Sequence, residues 1–336
     1  MENSAFLKHK IFLTAVFLLG NTIIVFPKGA GSQFSFYGCL LALLFNIAFC
    51  FIIANVKNLP NIFILKILFA VFCFVILGIT LRDYINFVDT ARLPQTPRFL
   101  ISVIYIFLTI YLGANHKKAI YLFSFFSFFI IFVIFIIMLI LSGNKISLVN
   151  LNLKNFNFSG VLNQSLTFYI HSFGQLIVLT QFFKNLPKQK SKVIYFGGGL
   201  IGFVMILIYV FNILAVLGTN VLGNVNYPYA TLTGMVSFAN NYSRMDGFTY
   251  YLYFFSTLIK SAVIINVIIN LFKNKKTIIT LIFIAMLLIT NINAVQNILH
   301  SNLLNLIILI FEIFFPILIL VINKWFYKLS PKIIES

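Results

Sequence analysis

The chain has 336 residues, of which 61% are apolar and 9% are charged, and its formal net charge is +18. Soluble domains are usually about half apolar and a quarter charged, so this composition excludes a soluble enzyme, a disordered chain and a secreted disulfide scaffold. The apolar runs are too long and too uniform for the alternating strands of a membrane β-barrel. We therefore expect a polytopic helical membrane protein.

Apolar runs bounded by charges, prolines or glycines predict ten membrane spans, since one span needs roughly 20 apolar residues. In chain order they cover residues 11–26, 36–54, 62–81, 99–112, 119–141, 161–183, 193–217, 247–272, 277–292 and 303–323. The whole chain, 1–336, is predicted to be a single transmembrane domain. Its longest outer connections are residues 82–98 and 218–246, and we expect the second to fold as a short helix or a re-entrant cap.

The basic residues predict the orientation of these spans. Sixteen of the 24 lysines and arginines fall on the side of both termini and of the 184–192 loop, and seven fall on the other side. Because cytoplasmic loops collect positive charge, both termini are predicted to be cytoplasmic. The cations are scattered between apolar segments, which favours anionic membrane lipid rather than nucleic acid as their partner.

Acids and cysteines are few. No two of the six acids lie at helix-face spacing inside one apolar segment, which excludes paired-carboxylate hydrolysis and carboxylate-rich metal sites. Since no nucleophile–base set is present either, we predict that the protein is not an enzyme and holds no metal or cofactor. Cys39, Cys50 and Cys73 lie in apolar stretches, where we expect them to be small buried apolar residues.

Two spans contain polar interruptions with a glycine. Gly-Asn-Thr at residues 20–22 interrupts the first span, and His-Ser-Phe-Gly at residues 171–174 interrupts the sixth. Five spans separate them, so they occupy matching places in two halves, about 11–141 and about 161–323. Paired breaks of this kind predict an inverted-repeat architecture with a ligand site near the midplane, where the N–H groups that open a half-helix favour a carboxylate. The alternative is that Gly20 and Gly174 only let helices pack closely.

Three titratable residues lie inside predicted spans. Lys260 lies roughly 21 Å into the eighth span, where a cation costs at least about 2.5–3.5 kcal/mol, so we expect it to face a ligand, a cavity or an acid. Glu312 is the only acid within a span, where it is expected to carry a proton or to pair with Lys260. His171 is either a proton-linked switch or the donor of one structural hydrogen bond.

Several short motifs occur in a fixed order along the chain. They are Leu19–Pro27 in the first span, Thr96-Pro97 before the fourth, Gln164–Thr167 and Ser172-Phe173-Gly174 in the sixth, Tyr227-Pro228 in the outer loop, and Arg244-Met245-Asp246 before the eighth. This series resembles the endospore germination permeases, the B subunits of nutrient germinant receptors, in the amino acid/polyamine/organocation transporter superfamily. The resemblance implies an all-α integral membrane protein with about ten transmembrane helices as five-plus-five inverted repeats, in which helices 1 and 6 are broken.

The resemblance also implies a function. The chain would be a receptor subunit of the spore inner membrane that binds a small nutrient germinant, expected to be an amino acid, and signals with A-type and C-type subunits. The pocket would lie between spans one, three, six and eight, and its predicted ligand-binding residues are Gly20, Asn21, Thr22, Val75, Ile79, Phe173, Gly174, Lys260 and Ile264. Proton or ion coupling is predicted for His171, Lys260 and Glu312. The alternative is a proton-coupled secondary amino acid transporter that works by alternating access.

Overall fold

The first half of the chain forms a series of long helices. The computed structural model describes residues 4–20, 22–25, 34–56, 59–151, 157–184, 186–235, 246–272, 274–292 and 301–329, and within these ranges it contains no strand. The first six helices are α1 (Ser4–Leu19), α2 (Thr22–Val25), α3 (Ser35–Asn55), α4 (Phe63–Ala91), α5 (Arg98–Ala114) and α6 (Lys117–Ser142). Short 3₁₀ turns at Gly143–Lys145 and Leu148–Leu151 follow α6.

The second half begins with a divided helix. It consists of α7 (Phe158–Phe168), a π-helical segment (Tyr169–Phe173), a 3₁₀ turn (Gly174–Leu176) and α8 (Ile177–Phe182). The remaining helices are α9 (Lys188–Leu222), α10 (Pro228–Met235), α11 (Asp246–Leu271), α12 (Lys275–Asn291) and α13 (Asn302–Leu329).

Within the described ranges, seven helical segments are long and apolar enough to cross a membrane. They are α1 continued through α2, then α3, α4, α6, α9, α11 and α13. The chain is therefore an all-helical membrane protein, as predicted. A helical segment also lies at the three other predicted spans, but α5 and α12 have 17 residues each and the sixth predicted span is divided. The arrangement of ten spans as two inverted repeats stays a prediction.

The predicted end of the third span is wrong. The predicted span ends at residue 81, yet α4 continues past Arg82 and Asp83 to Ala91. These two residues form an ion pair, with 3.0 Å between Arg82 Nη2 and Asp83 Oδ1, and Arg82 is only 1% exposed. Because the two opposite charges compensate each other inside the bundle, they do not end the helix. The predicted connection 82–98 is reduced to the turn before Arg98.

The second predicted connection contains the expected short helix. α9 runs on to Leu222 with a kink at Gly218, whose φ of 73° lies in the left-handed region. The short helix α10 follows at Pro228–Met235. The rest of the connection, residues 236–245, lies outside the described residues. It includes Arg244 and Met245 of the Arg244-Met245-Asp246 motif.

Helices α1 and α11 form the centre of the bundle. α1 packs against α9, α6 and α11, and α11 packs in addition against α4 and α5. Two glycines on α9 let α1 and α9 approach closely. A Cβ at Gly198 would lie 2.7 Å from Ile11 O, and one at Gly202 would lie 3.1 Å from Ala15 O. The break that ends α1 is therefore held in the interior.

The three cysteines are buried free thiols, as predicted. Cys39 and Cys73 are inaccessible, and Cys50 is almost so. The Cys50 thiol lies 3.3 Å from Asn46 Oδ1 and 3.5 Å from the carbonyl oxygen of Tyr195. All three thus behave as small apolar residues that fill space between helices.

Candidate ligand site at two helix breaks

The first break follows the end of α1. Gly20 has a φ of +22°, which an L side chain rarely adopts, and Asn21 lies outside the described residues. The Gly20 carbonyl accepts a hydrogen bond from Ser256 Oγ on α11 at 3.1 Å. Thr22, the first residue of α2, donates from Oγ1 to the carbonyl of Leu18 at 2.9 Å. Side chains therefore satisfy main-chain groups that the interrupted helix leaves without partners.

The second break is the π-helical segment with the 3₁₀ turn behind it. A π-helical turn inside an α-helix changes the hydrogen-bond spacing and is common at functional sites. Here Ser172 Oγ donates to the carbonyl of Phe168 at 2.5 Å, and Gln175 Nε2 donates to the carbonyl of Ile170 at 2.9 Å. As at the first break, local side chains take over hydrogen bonds that a continuous helix would make by itself.

The two breaks meet at one carbonyl group. The main-chain oxygen of His171 lies 3.1 Å from Thr22 Oγ1 and shares its hydroxyl hydrogen with the carbonyl of Leu18, and it accepts a second hydrogen bond from Lys260 Nζ at 3.2 Å. The carbonyl thus joins α2, the π-helical segment and α11. His171 contacts the other elements of the site through its main-chain carbonyl. The predicted role of its imidazole in proton coupling stays a prediction.

Lys260 is completely buried beside the first break. A Cβ at Gly20 would overlap the Lys260 side chain, so the absence of a side chain at Gly20 makes room for the aliphatic part of the lysine. Its ammonium lies 5.5 Å from the centre of the Phe17 ring, within the range of a cation–π interaction. The carbonyl of His171 and this ring together offset part of the cost of removing the charge from water.

Glu312 is completely buried beside the second break. A Cβ at Gly174 would overlap its carboxylate. Neither carboxylate oxygen accepts a hydrogen bond from any part of the chain that the structure describes. Glu312 is nevertheless the acid that acts most strongly on Lys260, ahead of Asp83. Each break thus lies against one buried titratable side chain, a lysine at the first and an acid at the second.

The residues predicted to hold the ligand's side chain have different surroundings. Ile79 and Ile264 are buried, whereas Val75 is half-buried on α4. The Phe173 ring lies 6.3 Å from the Phe203 ring on α9, measured between centroids. Ile264 follows Lys260 by one turn of α11. Their common contact with a ligand stays a prediction.

Three residues at the site were missed by the sequence analysis. Ser256 precedes Lys260 by one helical turn, and this spacing places both on the same face of α11, so it offered a usable signal. Tyr209 on α9 donates a hydrogen bond to the carbonyl of Ile23, and its hydroxyl lies 3.2 Å from that of Tyr253. Neither tyrosine had a local signal, because its contact depends on the packing of α9 and α11 against α2.

These features define a polytopic helical membrane protein with two adjacent helix breaks and buried charges beside them. A family model described as spore germination protein matches residues 57–297, and the chain therefore belongs to this family of germination permeases, which is not an enzyme family. No curated protein matches the chain. The matched range includes Val75, Ile79, His171, Phe173, Gly174, Lys260 and Ile264, while Gly20, Thr22 and Glu312 lie outside it. Among the described residues, no group of three His, Cys, Asp or Glu side chains is arranged to hold a metal ion.

Proposed function

We propose that the protein is a germinant-receptor subunit that binds a small nutrient, an amino acid, between the two helix breaks. The observation that carries this proposal is the shared carbonyl of His171, which accepts hydrogen bonds from Thr22 and Lys260. A broken helix exposes polar groups in an apolar interior, and such groups must find partners. At such a site, Lys260 can leave the carbonyl of His171 and donate to an incoming ligand instead.

The incoming acceptor would be the carboxylate of the ligand. Lys260 would supply a positive charge and Thr22 the main-chain N–H that opens α2, while the Thr22 hydroxyl stays on the carbonyl of His171. Asn21, which lies outside the described residues, would complete this contact. Gly20 and Gly174 allow close approach because they carry no side chain. Val75, Ile79, Phe173 and Ile264 would contact the ligand's own side chain.

Binding would act through a shift between two conformations of the bundle. In the structure Lys260 is buried and hydrogen-bonded to the backbone, so the ligand must bind better to a conformation in which the ammonium is released. A-type and C-type subunits at the inner membrane of the spore would then recognise the released conformation. Ten spans in two inverted repeats with cytoplasmic termini would be the scaffold of this change.

Glu312 favours a second candidate function, proton-coupled amino acid transport. A buried carboxyl group that accepts no hydrogen bond from the described residues is suited to bind and release a proton during a transport cycle. Its position against Gly174 would couple its charge to the second break. Lys260 would then be the counter-charge of the proton site.

Binding and uptake measurements on the full chain separate the two functions. The purified protein is screened for a rise in melting temperature with each of the common amino acids, and reconstituted vesicles are tested for uptake of the ligand with an inward proton gradient. A receptor is expected to be stabilised without accumulating ligand, whereas a transporter accumulates it. Lys260→Met should lose the stabilisation, and Lys192→Met, an exposed lysine on α9, is the matched control. If none of the ligands stabilises the protein, the amino-acid proposal is wrong.

A further inference from the structure

A cavity lies at the end of the bundle where α8 stops and α9 begins. Its volume is about 380 Å³, and it is bounded by the end of α3, the end of α8 and the first two turns of α9. Ligand sites in proteins typically measure roughly 300–1,000 Å³, so the cavity is large enough for a small headgroup. It is separate from the two breaks, since none of the residues at the breaks lines it.

The polar side chains of this cavity are one lysine, three hydroxyl-bearing residues and the amide of Asn55. Lys188 lies on its rim, and the hydroxyl-bearing side chains of Thr180, Ser191 and Tyr195 form part of its wall. Tyr195 lines the cavity although the residue is only 2% exposed. The cavity also lies at the N-terminus of α9, where the helix dipole is positive. No acid is among the described residues that line it.

Four further lysines, none of which lines the cavity, add positive charge near the end of α8. Lys117 Nζ donates to the carbonyl of Phe182 at 2.5 Å and lies 5.0 Å from the centre of its ring. Lys184 and Lys10 are the positive charges that act on Lys117. Partial burial and the charge of Lys66 lower the pKa of Lys184. Like charges near each other repel, and an anion bound in the neighbouring cavity would reduce this repulsion.

We propose that this cavity binds a phosphate-bearing anion, the headgroup of an anionic phospholipid. Lys188 would form the charged contact with the phosphate, Ser191 and Tyr195 would donate hydrogen bonds, and the surrounding lysines would strengthen the local positive potential. A phospholipid headgroup is favoured over a soluble phosphate because the cavity opens at the end of membrane-crossing helices α3 and α9, at the depth where headgroups lie.

The test is a lipid titration of the full-length protein in a zwitterionic detergent. The apparent affinities for short-chain phosphatidylglycerol, phosphatidylcholine of the same chain length and glycerol phosphate are measured from the shift in melting temperature. Bound lipids are counted by native mass spectrometry. We expect phosphatidylglycerol to bind at least tenfold more tightly than phosphatidylcholine, with one lipid retained per chain.

Two variants and one control connect the binding to the cavity. Lys188→Gln and Tyr195→Phe should each weaken phosphatidylglycerol at least fivefold, and the second removes only a hydroxyl group, so the ring packing is preserved. Lys192→Gln makes the same charge change on the same helix outside the cavity and should alter the affinity less than twofold. Equal binding of both lipids, or wild-type affinity in both cavity variants, overturns the proposal. Glycerol phosphate that binds with this variant pattern while phosphatidylglycerol does not would overturn the lipid as the source.

Discussion

Lys260 is the residue whose replacement best distinguishes a ligand contact from a structural ion interaction. Met has a similar length and no charge, so Lys260→Met removes the ammonium and keeps most of the packing against Gly20. If the ammonium binds the ligand's carboxylate, ligand sensitivity should fall tenfold or more, which corresponds to about 1.4 kcal/mol. Sensitivity is measured as the ligand concentration that gives a half-maximal response.

The double variant Lys260→Met with Glu312→Gln provides the control for this prediction. If Lys260 serves only as the counter-charge of Glu312, removing it alone strands a buried acid, which destabilises a protein by roughly 3–5 kcal/mol. The double variant should therefore regain the abundance that the single variant loses, while it still fails to respond. A double variant that responds at normal ligand concentrations would mean that Lys260 has no direct role in binding.

Gly174 lets the second break approach Glu312. In Gly174→Ala the new Cβ would overlap the carboxylate, and overpacking of an interior commonly costs about 1–3 kcal/mol. We expect a lower melting temperature, which Glu312→Ala in the same chain should largely restore. Gly143→Ala is the matched control, because nothing lies within 4 Å of a Cβ at that glycine. Equal stability of both alanine variants would contradict the close contact.

At the scale of the helices, the first break is tested by a bulky residue at Gly20. In Gly20→Leu the side chain would occupy the volume of Lys260 and force a residue with a Cβ into a left-handed conformation. The response to ligand should be abolished. Protein abundance, measured by immunoblot against Gly143→Leu, decides whether the loss is specific. A normal response would show that the break serves helix packing only.

The helices themselves were largely predictable, because each long apolar run has a length and periodicity that can be read locally. The ends of helices were less so: Arg82 and Asp83 suggested a membrane boundary, but their mutual ion pair lets α4 continue. The π-helical segment was predicted only as an interruption near Gly174, since its hydrogen-bond spacing depends on neighbours from other helices.

At the scale of the whole molecule, the orientation of the bundle has a direct test. Gln189 and Asn224 are both exposed and lie at opposite ends of α9, so one should be cytoplasmic and the other external. A cysteine introduced at Asn224 should react with a membrane-impermeant thiol reagent in intact cells, and one at Gln189 only after permeabilisation. The reverse pattern would invert the predicted topology.

The contacts of the candidate site show where prediction from sequence stops. Thr22, His171 and Lys260 were each singled out from their local surroundings. Their meeting at one carbonyl depends on three segments that are far apart in the chain, and no local pattern contains that information. The contact of Glu312 with Gly174 was missed for the same reason, although both residues had been named.

The shared carbonyl of His171 has a consequence for rates. A main-chain oxygen with two donors keeps one hydrogen bond when the other donor leaves, so a ligand carboxylate can recruit Lys260 while Thr22 still holds the carbonyl. The transition state for entry then contains no unsatisfied buried oxygen, whose exposure would otherwise add about 1–3 kcal/mol to the barrier. Thr22→Val, which removes this second donor and keeps the shape of the side chain, should therefore slow ligand association more than it weakens equilibrium affinity.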